Sequence, residues 1–232
     1  MSGNPVFCSI DTSDAVKAKA LAEQLRGHVH GLKLGLEFFL AQGAEGFRAV
    51  AAQGAPMFLD LKLHDIPNTV AGAVHSVLPL KPAFLTLHTA GGAGMMRAAA
   101  EAAAKAGAAR PKLLGVTVLT SLDAQDLASV GQGSDTEQQV TRLAKLAKDS
   151  GLDGVVCSPE EVKALRQALG PDFILMVPGI RPQWAAANDQ KRFMTPRDAM
   201  AAGATYLVIG RPITGADNPA EAAQKIASEL AA

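Results

Sequence analysis

The run Phe58-Leu59-Asp60-Leu61-Lys62-Leu63-His64-Asp65-Ile66-Pro67-Asn68-Thr69 places charged residues inside an otherwise leucine-rich strand. Side chains alternate across a strand, so Leu59, Leu61 and Leu63 share one face while Asp60 and Lys62 take the other. If the strand belongs to a parallel barrel, its helix-facing side must be apolar, which turns Asp60 and Lys62 inward at the C-terminal end. Burying such a pair costs several kcal/mol in desolvation, and a hydrophobic pair would be cheaper for stability alone. That cost points to chemistry. Asp65 lies beyond the strand end, so alternation does not fix its direction.

The surrounding chain supplies the barrel. Short β-rich apolar runs at 6–11, 31–35, 57–62, 84–89, 113–120, 154–158, 173–179 and 206–210 alternate with helix-like segments such as 13–25, 95–105, 136–149, 159–169 and 195–201. Ser158-Pro159-Glu160-Glu161 puts a cap residue, a first-turn proline and acids at a helix start, and Thr195-Pro196-Arg197-Asp198 repeats the pattern. Strand–helix alternation implies parallel strands with crossover helices. Eight such short units predict a single α/β domain over residues 1–232, a (β/α)8 TIM barrel, with an open doubly wound sheet as the alternative. Two stretches read as non-helical, 131–135 and 181–193. The second is polar, follows Val177-Pro178-Gly179, and is expected to form a lid over the C-terminal face.

Two further strands add charge at the same end. In Gly31-Leu32-Lys33-Leu34-Gly35, Lys33 alternates with leucines, and Asp11 ends the first strand. Any one of these taken singly reads equally well as a side chain snorkelling to solvent at a rim. Asp11, Lys33, Asp60 and Lys62 together make a cluster of alternating charge across three adjacent strand ends.

Bulk properties exclude several functions. Lys plus Arg equals Asp plus Glu at 22 each, so no global basic field is available to hold nucleic acid. No run approaches ~18 uninterrupted apolar residues, so no membrane span is expected. Met1-Ser2-Gly3-Asn4-Pro5 lacks the basic start and apolar stretch of a signal peptide, and the chain reads as cytoplasmic. Cys8 and Cys157 are far apart, each inside an apolar run, and read as reduced core residues. His64 is placed for a polar contact and His88, ending the fourth strand, could line a site, whereas His28, His30 and His75 read as surface or packing residues. Trp184 on the expected lid reads either as a cover for the site or as loop packing.

The run from Asp60 to Thr69 resembles the D-x-K-x-x-D-I-x-x-T signature of the orotidine monophosphate decarboxylases. The likeness extends to Asp11, Lys33, Thr120, Pro178-Gly179 with the loop that follows, and Ile209-Gly210-Arg211-Pro212-Ile213. It implies decarboxylation of orotidine 5′-monophosphate to uridine 5′-monophosphate, the last step of de novo pyrimidine synthesis, with no cofactor and no metal. By the same resemblance Lys62 donates a proton to C6 of the pyrimidine, and Asp60 and Lys33 complete its charge network. Asp65 is contributed by the second subunit of a homodimer. Asp11 and Lys33 contact ribose hydroxyls, Thr120 contacts the pyrimidine, and Gln190, Gly210 and Arg211 hold the phosphate, with Arg181 at the ligand from the lid. Ile66, Thr69 and Pro178 complete the substrate contacts the resemblance implies.

Two rival readings differ in chemistry. Magnesium-dependent sugar-phosphate decarboxylases and synthases of the same superfamily share a similar Asp-x-Lys-x-x-Asp run, but carry a metal-binding acid on the second strand where this chain has Lys33. A catalytically silent phosphate-ligand barrel is the other, and it has no need of two buried lysines beside three acids.

Overall fold

A computed structural model describes residues 4–133, 135–185 and 194–231 of the chain. Strands β1 (Val6–Ile10), β2 (Gly31–Gly35), β3 (Met57–Leu63), β4 (Phe84–His88), β5 (Lys112–Val116), β6 (Gly154–Val156), β7 (Ile174–Val177) and β8 (Tyr206–Ile209) are parallel and close into a barrel in chain order. The pairs Val6↔Leu207, Phe7↔Val208 and Cys8↔Ile209 join the first strand to the last, which rules out the open sheet. Around it run α1 (Ala15–Gln24), α2 (Leu36–Ala51), α3 (Pro67–Val77), α4 (Gly92–Ala104), α5 (Ala124–Ser129) and α6 (Thr136–Asp149). They are followed by α7 (Val162–Leu169), α8 (Pro196–Ala202), α9 (Arg211–Thr214) and α10 (Pro219–Ala231).

Alternation divides the interior into two cores. Outward residues such as Val6, Cys8, Leu32, Leu59, Leu85 and Leu87 pack beneath the helices in one large cluster. Inward residues Phe7, Phe58, Phe84, Leu114, Met176 and Val208, with Tyr206 against them, make a separate plug near the strand starts. Phe7 meets Phe84 and Tyr206 edge-on at ring separations of 5.4 and 5.5 Å. Gly31 makes room for it, since a Cβ there would lie 2.3 Å from the Phe7 ring. The plug fills the lower barrel, so the inward positions left for polar residues lie toward the C-terminal ends.

Several strands stop earlier than their apolar runs. β5 ends at Val116 because its last partner on β6 is Val156, and residues 117–120 continue as a loop. β6 stops short of Ser158, whose N–H bonds the Glu161 carboxylate at 2.8 Å. That contact caps the expected helix start, although its first turn, Pro159–Glu161, is a tighter 3-10 turn. Thr195 caps α8 as expected, accepting from the Asp198 N–H at 3.2 Å. Both cysteines are buried and unbridged, and burial raises their thiol pKa values, so they are inert core residues. Residues 186–193 of the expected lid, Gln190 among them, lie outside the described residues. Its two ends are joined where the Arg181 N–H bonds the Met194 carbonyl at 3.0 Å.

At the opposite end of the barrel, Asp153 ties β5 to β6. It accepts both guanidinium N–H groups of Arg110 at 2.8 and 2.7 Å and the Leu113 N–H at 2.8 Å. Burial pushes its pKa up, but the Arg110 and Leu113 hydrogen bonds and the charges of Arg110 and Lys112 outweigh that, so it lies below the ordinary carboxylate range. A depressed carboxylate contributes stability that is present above its unfolded value and lost as pH falls through the folded one. Asp153→Asn is therefore expected to cost about 2 kcal/mol in urea unfolding near neutral pH. The difference from wild type should shrink only as pH falls through the ordinary carboxylate range and below it, and a pH-independent difference would contradict this account.

Candidate active site

Above the aromatic plug the inward charges form one chain. Lys33 on β2 places its Nζ 3.6 Å from Asp11 Oδ1 and 3.5 Å from Asp60 Oδ2, and Lys62 Nζ lies 2.8 Å from that same Asp60 oxygen. The order Asp11–Lys33–Asp60–Lys62 is the alternating cluster expected from the strand pattern. It is graded in depth: the side chains of Lys33 and Asp60 are 12% and 11% exposed, Lys62 30% and Asp11 60%. Asp11 stands one residue past β1 and accepts the Ser9 hydroxyl at 2.8 Å. Asp60 is the hub. Burial alone would raise its pKa, but Lys33 and Lys62, with hydrogen bonds from Lys62 and Thr86, reverse the effect and hold the carboxyl below its ordinary range.

The end of β3 is not the plain alternating strand that its sequence suggests. Leu59 pairs with Leu85 but Leu63 with Leu87, so four steps along β3 cover two along β4. Lys62 has φ +49°, a left-handed conformation that costs a non-glycine residue about 1–3 kcal/mol. The bulge keeps Leu59 and Leu63 packed outward while delivering Lys62 into the barrel mouth. Thr86 on β4 holds it there, accepting the Lys62 N–H at 2.9 Å and donating to Asp60 Oδ1 at 2.8 Å.

These charges line the floor of a cavity of about 300 Å³ at the C-terminal ends of the strands. Thr120, Pro178, Arg181, Gly210 and Arg211 line the same cavity, so most of the expected substrate contacts are brought to one place. Gly179 has φ +75°, a turn that carries the chain from β7 toward Arg181. Arg181 is only 3% exposed, whereas Arg211 is exposed at the rim, at the start of α9. Gly210 approaches β1 closely: a Cβ there would meet Ser9 Cβ at 3.3 Å. The opposite wall is apolar, made by Val116, Val118, Leu119 and Val156. Sequence reading passed over these residues and Thr86, although alternation from Leu114 and Phe84 puts Val116 and Thr86 on inward faces.

Asp65, Ile66 and Thr69 are not part of this cavity. All three are exposed around the start of α3, and Asp65 accepts the N–H of Ile66 at 2.6 Å. The rings of His64 and His88 meet at a tilt, their centroids 5.4 Å apart, beside the site but do not line the cavity. Burial, followed by the positive charges of His64 and Lys62, lowers the His88 pKa, which favours the neutral ring. His30 packs against Phe7 and Tyr206 in the plug. Trp184 does not cover the cavity. Its indole N–H donates to Glu229 at 2.7 Å on α10, with the Lys225 ammonium 4.5 Å above the ring. Among the described residues no helix is long and apolar enough to cross a membrane.

Comparison with known proteins agrees with this geometry over nearly the whole chain. The family model described as orotidine 5'-phosphate decarboxylase / HUMPS family matches residues 4–226. An orotidine 5'-phosphate decarboxylase of Paramagnetospirillum magneticum is 57% identical over 231 residues, covering 98% of each chain. One of Rhodospirillum rubrum is 55% identical over 235 residues, covering 99% of this chain and 95% of that one. Among solved structures, orotidine 5'-phosphate decarboxylase from Lactobacillus acidophilus superposes with a TM-score of 0.87 at 37% identity, covering 99% of this chain and 100% of that one.

Proposed function

Since this chain belongs to the orotidine 5'-phosphate decarboxylase / HUMPS family, we propose that it converts orotidine 5′-monophosphate to uridine 5′-monophosphate and CO2 in pyrimidine biosynthesis, with Lys62 as the proton donor. The observation that carries the reading is the Asp11–Lys33–Asp60–Lys62 chain on the floor of a cavity that is also lined by buried Arg181 and, at its rim, by Arg211. When the bond from C6 to the carboxylate breaks, its electron pair stays on C6, where no ring system delocalises it. Fixed positive charge must do the stabilising. Lys62 meets the developing charge and then transfers one of its N–H protons to C6, while CO2 leaves and solvent restores the lysine's proton. Asp60, held anionic between two lysines, keeps Lys62 aimed at the reacting carbon. A substrate carboxylate placed beside Asp60 would also be repelled, and that repulsion vanishes as CO2 departs.

The remaining contacts divide by chemistry. Asp11 and Lys33 bind ribose hydroxyls, and Thr120, with the apolar wall and Pro178, packs against the pyrimidine. Gly210 and Arg211, with Gln190 and Arg181, hold the phosphate, which suits the loops after the seventh and eighth strands of a barrel. Binding energy from that remote group can be used to orient the reacting end. Asp65, exposed and outside its own cavity, serves the active site of a second copy, and Ile66 and Thr69 accompany it. Exposed Ile66, Leu36, Leu40 and Val16, on the early turns of the helices after β1, β2 and β3, supply apolar surface for that homodimer contact. We place the enzyme in the cytoplasm, acting on a small molecule, with neither nucleic acid nor membrane as partner.

Lys33 weighs against the magnesium-dependent alternative, because its ammonium already lies between Asp11 and Asp60 and a divalent cation would have to displace it. The deciding experiment follows the absorbance of orotidine monophosphate on mixing with EDTA-treated protein. Conversion that survives chelation is the expected result. No conversion by folded protein would reject the decarboxylase reading and favour the magnesium-dependent relatives.

A further inference from the structure

Thr86 occupies the inward face of β4 between Phe84 and His88 and is completely buried. Its hydroxyl makes two contacts at once. It donates to Asp60 Oδ1 at 2.8 Å and accepts from the backbone N–H of Lys62 at 2.9 Å. Both partners belong to the charge chain, and both are unusual. The Lys62 N–H belongs to a bulged residue with φ +49°, bonded to a side chain rather than along a regular ladder. The Asp60 carboxylate divides its oxygens, Oδ1 for Thr86 and Oδ2 for Lys62 at 2.8 Å and Lys33 at 3.5 Å.

We infer that Thr86 is a positioning residue for the decarboxylation, acting by locking both the Asp60 carboxylate and the backbone of Lys62. With Oδ1 committed to a buried hydroxyl, the carboxylate cannot rotate to offer each ammonium its own oxygen, so the two lysines converge on Oδ2. With the Lys62 N–H held by the same hydroxyl, the left-handed turn that aims the lysine into the cavity is kept. Thr86 does not line the cavity and so acts on the substrate only through these two residues. The inference rests on the reading of Lys62 as proton donor.

The test compares Thr86→Val, nearly equal in volume but unable to donate or accept, with Thr86→Ser, which keeps the hydroxyl. Valine is expected to lower kcat about 10- to 100-fold, the size of one lost hydrogen bond to a charged group, with little change in KM. The acid limb of the kcat profile should move to higher pH, because Asp60 loses a bond that favours its ionised form. The other charges and titratable groups bearing on that carboxylate, Lys33 from β2, Lys62 on β3, Asp11 past β1 and the His64–His88 pair, are unchanged by the substitution. Serine should restore most of the rate and the original profile. If valine does not fold, Thr86→Ala carries the same comparison. Wild-type kcat and pH profile in the valine or alanine variant would overturn the inference. So would an equal loss in the serine variant accompanied only by a lower Tm, since that marks packing. Wild-type protein that fails to decarboxylate in the same assay would remove the proposed function itself, a result separate from either of these.

Discussion

Alanine in place of Lys62 is expected to lower kcat/KM by about 100,000-fold or more while leaving the barrel folded. Two contributions add. A unit charge about 4 Å from developing negative charge is worth about 4 kcal/mol at an effective dielectric near 20, which is roughly a thousandfold in rate. Loss of a positioned general acid removes about a further 100- to 10,000-fold. The fold should tolerate the change because Asp60 keeps Lys33 at 3.5 Å and the Thr86 hydrogen bond, so no buried carboxylate is left unpaired. Lys62 is also the residue held in a left-handed conformation, so the substitution removes a functional group from a strained position, not packing from the core. Single-turnover decay of orotidine monophosphate absorbance measures the loss, and circular dichroism checks the fold. A variant retaining a tenth of wild-type activity would reject Lys62 as proton donor.

Asp65→Ala should be nearly as damaging alone, yet the loss should be recoverable by mixing. If each site takes Lys62 from one subunit and Asp65 from the other, a heterodimer of Lys62→Ala and Asp65→Ala chains contains one intact site and one doubly defective site. Random reassortment of equal amounts should then give about a quarter of wild-type activity, because about half the dimers are mixed and each has one working site. The exposure of Asp65 and its distance in role from its own cavity motivate the experiment. Activity that stays at the level of the separate variants, once exchange of subunits is demonstrated by mass-tagged chains, would show that Asp65 acts within its own subunit or not at all.

Much of this site could be read from strand alternation because a barrel strand has only two faces. Lys33 among leucines, and Asp60 and Lys62 between Leu59, Leu61 and Leu63, had one place to go once the helices claimed the apolar face. Alternation was silent on Asp65, Ile66 and Thr69, which stand beyond β3 where the period of two no longer applies. It also missed Thr86. A threonine in a β-rich run is ordinary by composition, and its importance arises from contacts 24 and 26 residues away along the chain. The two histidines near the site illustrate the same limit. Sequence position left a polar contact open for His64 and a lining place open for His88 without deciding either, and the structure sets their rings against each other beside the cavity.

What the amino-acid order by itself determined is a parallel α/β unit of eight apolar strands spaced by helices, and the identity of the charged residues turned to its inner face. These follow from local rules: two faces per strand, caps at helix starts, and the cost of placing charge against an apolar layer. Tertiary structure alone decided how those charges meet. The closure of β1 against β8, the bulge that turns Lys62 left-handed, and the sharing of one Asp60 oxygen by two lysines depend on neighbouring strands. The physical reason is range. Face and periodicity are set by residues within a few positions of one another, whereas a strained backbone and a divided carboxylate persist only where distant strands supply the hydrogen bonds that hold them.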